Sequence, residues 1–116
     1  MFAKNMNISL LLDFYGDILS ERRREIMELY YNEDLSLAEI AEIKGISRQG
    51  VRDSVKKSET ELTELEAKLG LAERFKNLKG EISNISEALR GAAKVSDEAA
   101  ASVINEAITK LEELDI

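Results

Sequence analysis

With 116 residues, 34% of them charged, and a formal net charge of −7, the chain is acidic, and it contains no cysteine, no histidine and no proline. Those absences remove disulfides, thiolate and imidazole metal ligands, and the commonest catalytic nucleophile and general base, so neither an enzyme nor a metal or cofactor site is expected. No apolar run approaches the ~18 residues that a membrane helix requires and no leader-like segment opens the chain, which points to a soluble cytoplasmic protein without a membrane partner.

Leu, Ile, Ala and Glu recur along the chain and predict an all-α fold. A first helix is expected over residues 8–15, where Ile8, Leu11, Leu12 and Tyr15 stand at i, i+3, i+4 and i+7 and Gly16 closes the run. Ser20 is placed to cap a second helix reaching Tyr31, with Ile26, Leu29 and Tyr30 inward. Arg22, Arg23 and Arg24 fall in its first turn, the end of the helix dipole that disfavours cations. They read as surface charge, or as a phosphate or partner contact flanking the next motif.

Residues 36–57 carry the main functional signal. Ser36 followed three residues later by Glu39 is a capping box, so a helix starts near Leu37. Ile40 and Ile43 form its apolar edge, and Ala41 permits a close helix crossing. Gly45 supplies a left-handed turn, and Ser47 caps the next helix, which turns Val51 and Val55 inward. This is a helix-turn-helix. Three features depart from the usual apolar template: Lys44 stands just before the turn glycine with Ile43 substituting for it, Ser54 replaces an inward aliphatic, and Gly50 interrupts the second helix. Arg48, Arg52 and Lys56 recur every four residues, with Gln49 and Lys57 beside them. Residues 44–57 hold five basic residues against one acid, Asp53, within an otherwise acidic chain. Lys44, Ser47, Arg48, Gln49, Arg52, Lys56 and Lys57 are therefore the candidate nucleic-acid-binding residues, for DNA or RNA, with a salt-sensitive contact confined to that stripe.

The helix opened by Ser47 meets no breaker before Gly70. Val51, Val55, Ser58, Leu62, Leu65, Leu69 and Ala72 follow a heptad seam, in which Val55, Leu62, Leu65 and Leu69 serve either as packing positions within the chain or as a dimer interface. A second seam runs through Leu71, Phe75, Leu78, Ile82, Ile85 and Leu89, with a bend or break expected at Gly80 and a joint at Gly91. Ser96 is expected to open a last helix whose stripe is Ala100, Ile104, Ala107, Leu111 and Leu114. The organisation is thus a helix-turn-helix domain over residues 1–58, with a long recognition helix, and an acidic helical extension over residues 59–116 that packs or dimerises.

Asp13-Phe14-Tyr15, Leu29-Tyr30-Tyr31, Ser36-Leu37-x-Glu39-Ile40-Ala41 and Ser47-Arg48-Gln49 occur in an order and spacing that resembles the small bacterial YlxM-like proteins, over about residues 7–70. The resemblance implies an all-helical fold with a helix-turn-helix similar to region 4 of sigma factors, a tendency to form homodimers, and a regulatory part in the signal recognition particle pathway. On the matching positions Ser47, Arg48 and Gln49 would open the recognition helix. Arg48 would suit a guanine edge and Gln49 an adenine edge, each worth ~1–3 kcal/mol of discrimination. Arg52 departs from the tyrosine frequent at that position in the family.

Two readings follow: a regulator that binds nucleic acid through the basic stripe, or an adaptor that docks on components of the signal recognition particle.

Overall fold

The computed structural model describes residues 6–114 and contains six α-helices and no strand among them. In chain order these are α1 (Met6–Tyr15), α2 (Glu21–Tyr31), α3 (Leu37–Lys44), α4 (Arg48–Leu69), α5 (Leu71–Lys94) and α6 (Glu98–Glu112), with a single 3-10 turn (Gly16–Ile18) after α1. The chain divides into two compact units, the first ending at Ala72 and the second beginning at Glu73. The first unit therefore takes in all of α4, including the part after residue 58 that the periodicity assigned to the extension. No described helix is long and apolar enough to cross a membrane.

The first unit is built around α4, which packs against α1, α2 and α3. Its face Val51, Val55, Ser58 and Leu62 is wholly enclosed. Around it lie Ile8, Leu11, Leu12 and Tyr15 of α1, Ile26, Met27, Tyr30 and Tyr31 of α2, and Ile40 and Ala41 of α3. The heptad seam is thus satisfied inside the chain: Val55 and Leu62 are core, Leu65 packs at the margin, and Leu69 is half exposed. Ile43 is a correction to the expected apolar edge of α3. It is 60% exposed, because one face of an eight-residue helix is already filled by Ile40 and Ala41.

Polar side chains tie the same helices together. The Tyr15 hydroxyl donates to Glu66 Oε1 at 2.6 Å and accepts from the Leu71 amide at 3.2 Å, while the Ala72 amide donates to Glu66 Oε1 at 3.0 Å. Two otherwise orphaned N-terminal donors of α5 are thereby satisfied beside Gly70, whose φ of 63° makes the sharp exit from α4. Arg23 Nε donates to Ser58 Oγ at 3.0 Å and its guanidinium lies 2.7 Å from Glu61. Arg24 pairs with Asp17 at 2.7 Å. Arg23 therefore serves the fold, Arg24 pairs at the surface, and Arg22 stands exposed.

The second unit is the helical pair of α5 and α6 up to residue 114. Neither Gly80 nor Gly91 breaks α5, which continues to Lys94; with nothing packed within 4 Å of either position, the helix tolerates both glycines on a solvated face. Ser96 does not open α6: its hydroxyl donates back to the Ala92 carbonyl, and Asp97 is the cap, accepting from the Ala100 amide at 2.8 Å. The inward stripe of α6 is Ala101, Ile104, Ile108 and Leu111 rather than the expected one, with Ala100, Ala107 and Leu114 exposed. On α5 the inward side is Ile82, Ser86, Leu89 and Ala93, leaving Leu71, Leu78 and Ile85 open. Arg90 and Glu112 close the pair with a bond of 2.5 Å.

Two outcomes follow. Leu62→Ala, which empties a fully enclosed site, should lower stability by about 2–5 kcal/mol in urea unfolding. Burial, with the Glu66 carboxylate second, pushes the Tyr15 phenol above its ordinary value of 10.0. A raised folded pKa contributes stability that is present below pH ~10 and lost as pH rises through the folded value. The stability gap between wild type and Tyr15→Phe should therefore narrow in thermal melts taken above pH 10.

Candidate nucleic-acid interface

The site is assembled by caps and a turn. Ser36 Oγ accepts from the Glu39 amide at 3.1 Å while Glu39 Oε1 accepts from the Ser36 amide at 3.0 Å, which completes the capping box. These Ser36 donors hold the Glu39 carboxyl below the usual carboxylate range. Gly45 takes φ 68°, and the Ile46 amide reaches back to the Ala41 carbonyl at 3.1 Å, so the chain leaves α3 through a left-handed glycine closure. Ser47 then caps α4, its hydroxyl accepting from the Gly50 amide at 2.9 Å. That contact explains Gly50. A Cβ there would lie 3.2 Å from Ser47 Oγ and 3.6 Å from Ile46 Cδ1, against the cap itself.

Because Val51 and Val55 are locked inward, the residues on the opposite side of α4 point to solvent. Arg48, Gln49, Lys56 and Lys57 are exposed and Arg52 is half-buried. Gln49 Nε2 donates to Asp53 Oδ1 at 2.8 Å, one turn along the helix, so reading a base edge requires that bond to exchange. Ser47 is exposed, but its hydroxyl is engaged in capping. Lys44 stands apart from the stripe. It is half-buried and ion-paired with Glu25 of α2, whose carboxyl that ammonium holds below the usual range. The residue that replaces an apolar one before the turn glycine thus anchors α3 to α2. Glu25 was invisible to the sequence reading, since a pair separated by 19 residues leaves no periodic trace.

The stripe has a sharp end. Beyond Lys56 and Lys57 the same helix carries Glu59, Glu61, Glu64 and Glu66, and Lys56, Lys57, Thr60, Glu61 and Glu64 line one open depression. Glu61 is partly neutralised by Arg23, and Glu59 accepts from the Tyr31 hydroxyl. The charge of α4 is thus mostly positive over its first three turns and mostly negative beyond them. No group of three or more carboxylates among the described residues could hold a metal ion.

Comparison with known proteins gives this geometry a family. The model of the UPF0122 family, described as "Putative helix-turn-helix protein, YlxM / p13 like", matches residues 2–103. The chain belongs to the UPF0122 family. A UPF0122 protein from Thermoanaerobacter sp. (strain X514) is 38% identical over 110 residues, 94% of each chain. One from Shouchella clausii (strain KSM-K16) is 35% identical over 115 residues, 99% of this chain and all of the relative. One from Desulforamulus reducens is 53% identical over 68 residues, 59% of this chain and 58% of the relative. The helix-turn-helix of this UPF0122 member is therefore both a geometric and a family feature.

The lowered carboxyls of Glu39 and Glu25 set an acid limit on the motif. A depressed folded pKa contributes stability that is present above the unfolded value of 4.5 and is lost as pH falls through the folded value. Thermal melts followed by circular dichroism should fall between pH 5 and pH 3, and Glu39→Gln should show a smaller fall than wild type over that window.

Proposed function

We propose that this chain is a non-enzymatic, cytoplasmic helix-turn-helix regulator that binds nucleic acid through the exposed stripe of α4, with Arg48, Arg52, Lys56 and Lys57 on phosphates and Arg48 and Gln49 nearest to base edges. The observation that carries this reading is the capped, glycine-turned α3–α4 pair, which holds a cluster of cations outward on an otherwise acidic chain. Lys44 takes no part, being committed to Glu25. One copy offers few phosphate contacts, so a second copy supplying a second stripe belongs to the proposal. The acidic half of α4 favours a second reading, in which the motif is a scaffold that docks on components of the signal recognition particle, and the stripe touches that particle's RNA rather than DNA.

Fluorescence anisotropy with duplex DNA and with structured RNA, titrated over salt, tests the reading. Arg48→Ala with Arg52→Ala should leave helicity unchanged and reduce the dependence of log affinity on log salt by about 2 per copy. Lys44→Ala should leave that slope unaltered. Absence of binding to either nucleic acid at low salt would remove the proposal.

A further inference from the structure

Asp53 is the one acid within residues 44–57, and the phosphate contacts proposed for the stripe make no use of it. It does not stand at the stripe's margin. Gln49 and Asp53 lie two residues either side of the enclosed Val51, which puts each of them roughly 160° round the helix from it, and both are exposed. They form the crest of α4, with half-buried Arg52 on one flank and exposed Lys57 on the other. Cations on both flanks suit a helix lying between two phosphate backbones, and the crest then meets base edges. The major groove of B-form DNA admits a helix in this way, whereas the deep, narrow groove of an RNA duplex does not.

A carboxylate on the crest constrains what the crest can meet. Ionised Asp53 can only accept hydrogen bonds, and in the structure it accepts from Gln49 Nε2 at 2.8 Å. Once Gln49 turns to a base, that acceptor is left facing the groove and shielded from water. Phosphate oxygens, guanine O6 and N7, and thymine O4 offer it no donor, but cytosine N4 and adenine N6 do. We propose that Asp53 is a specificity-determining residue of the α4 stripe, selecting duplex DNA that presents an exocyclic amino group, cytosine N4 or adenine N6, beside the base edge met by Gln49. At any other sequence the Gln49–Asp53 bond is lost without replacement, and a desolvated carboxylate stays unpaired. Resting on the nucleic-acid reading of the stripe, this role narrows its ligand to B-form DNA.

Selection of the full chain against a randomised DNA duplex library at fixed salt, followed by anisotropy on the enriched duplex and its single-base-pair variants, tests it. Wild type should show a position at which cytosine or adenine binds roughly tenfold tighter than guanine or thymine. Asp53→Ala should flatten that position and leave the others as they were. It should also bind a random duplex about two- to fivefold tighter, since a negative charge has left the interface. Asp53 is exposed, and circular dichroism checks that helicity is retained. An Asp53→Ala protein that keeps the wild-type base preference overturns the proposal, even if it binds every duplex more tightly, because Asp53 then only repels phosphate. So does a wild type that binds duplex DNA without favouring an amino-bearing base, or binds structured RNA alone; either outcome leaves nucleic-acid binding by the stripe standing. Absence of binding to DNA and RNA alike removes both.

Discussion

Everything in the first unit depends on one face of one helix. Val51, Val55, Ser58 and Leu62 have no solvent exposure, and all three preceding helices close on them. Closing that face does three things together. It gives the small unit its apolar centre, brings α3 against α4, and leaves Gln49 and Lys56 on the opposite side of the helix. The candidate interface is thus a by-product of the core. Helix periodicity guarantees that a stripe exists, and burial of the other side decides that it faces water.

The polar contacts then set where the hydrophobic elements stop. Tyr15 and Glu66 satisfy the first amides of α5 and so hold the exit from α4 at Gly70 against α1. Arg23 reaches the one hydroxyl in the core face, Ser58, and a buried hydroxyl without such a donor would destabilise the unit. Glu25 draws Lys44 inward and fastens α3 to α2. These contacts divide cations of the chain between structure and surface: Arg23 and Lys44 are spent within the fold, whereas Arg48 and Lys57 remain at the surface.

The charge step along α4 links that division to function. Cations occupy its first turns and carboxylates the later ones, so the nucleic-acid contact proposed above is confined to the start of α4. The second unit follows another logic. Its helices are amphipathic enough to form, as the Asp97 cap and the Arg90–Glu112 pair attest, yet they enclose little. Helix formation and core formation are separable here, because caps and propensity act within a turn or two, while burial needs opposing surfaces.

Much of the first unit was legible from the residues alone, because its signals are local. The capping box at Ser36, the left-handed Gly45, the break at Gly70, the Ser20 and Ser47 caps, and the core face of α1 each depend on neighbours within seven residues. The second unit was less legible. Leu, Ile and Ala lie on more than one side of α5 and α6, so periodicity alone chose Ala100, Ala107 and Leu78, whereas packing chose Ala101, Ile108 and Ser86. Ser96 and Asp97 are both good caps, and the path of the chain out of α5 decided between them. The sequence by itself determined the helices, the turn and the presence of an i, i+4 basic stripe, since these follow from hydrogen bonding and spacing along one chain segment. Only the tertiary structure decided that the α4 seam is spent inside the chain, that Lys44 belongs to Glu25, and that Ile43, Leu78 and Ile85 stay open. Those outcomes depend on which distant surfaces meet, and no local pattern encodes that.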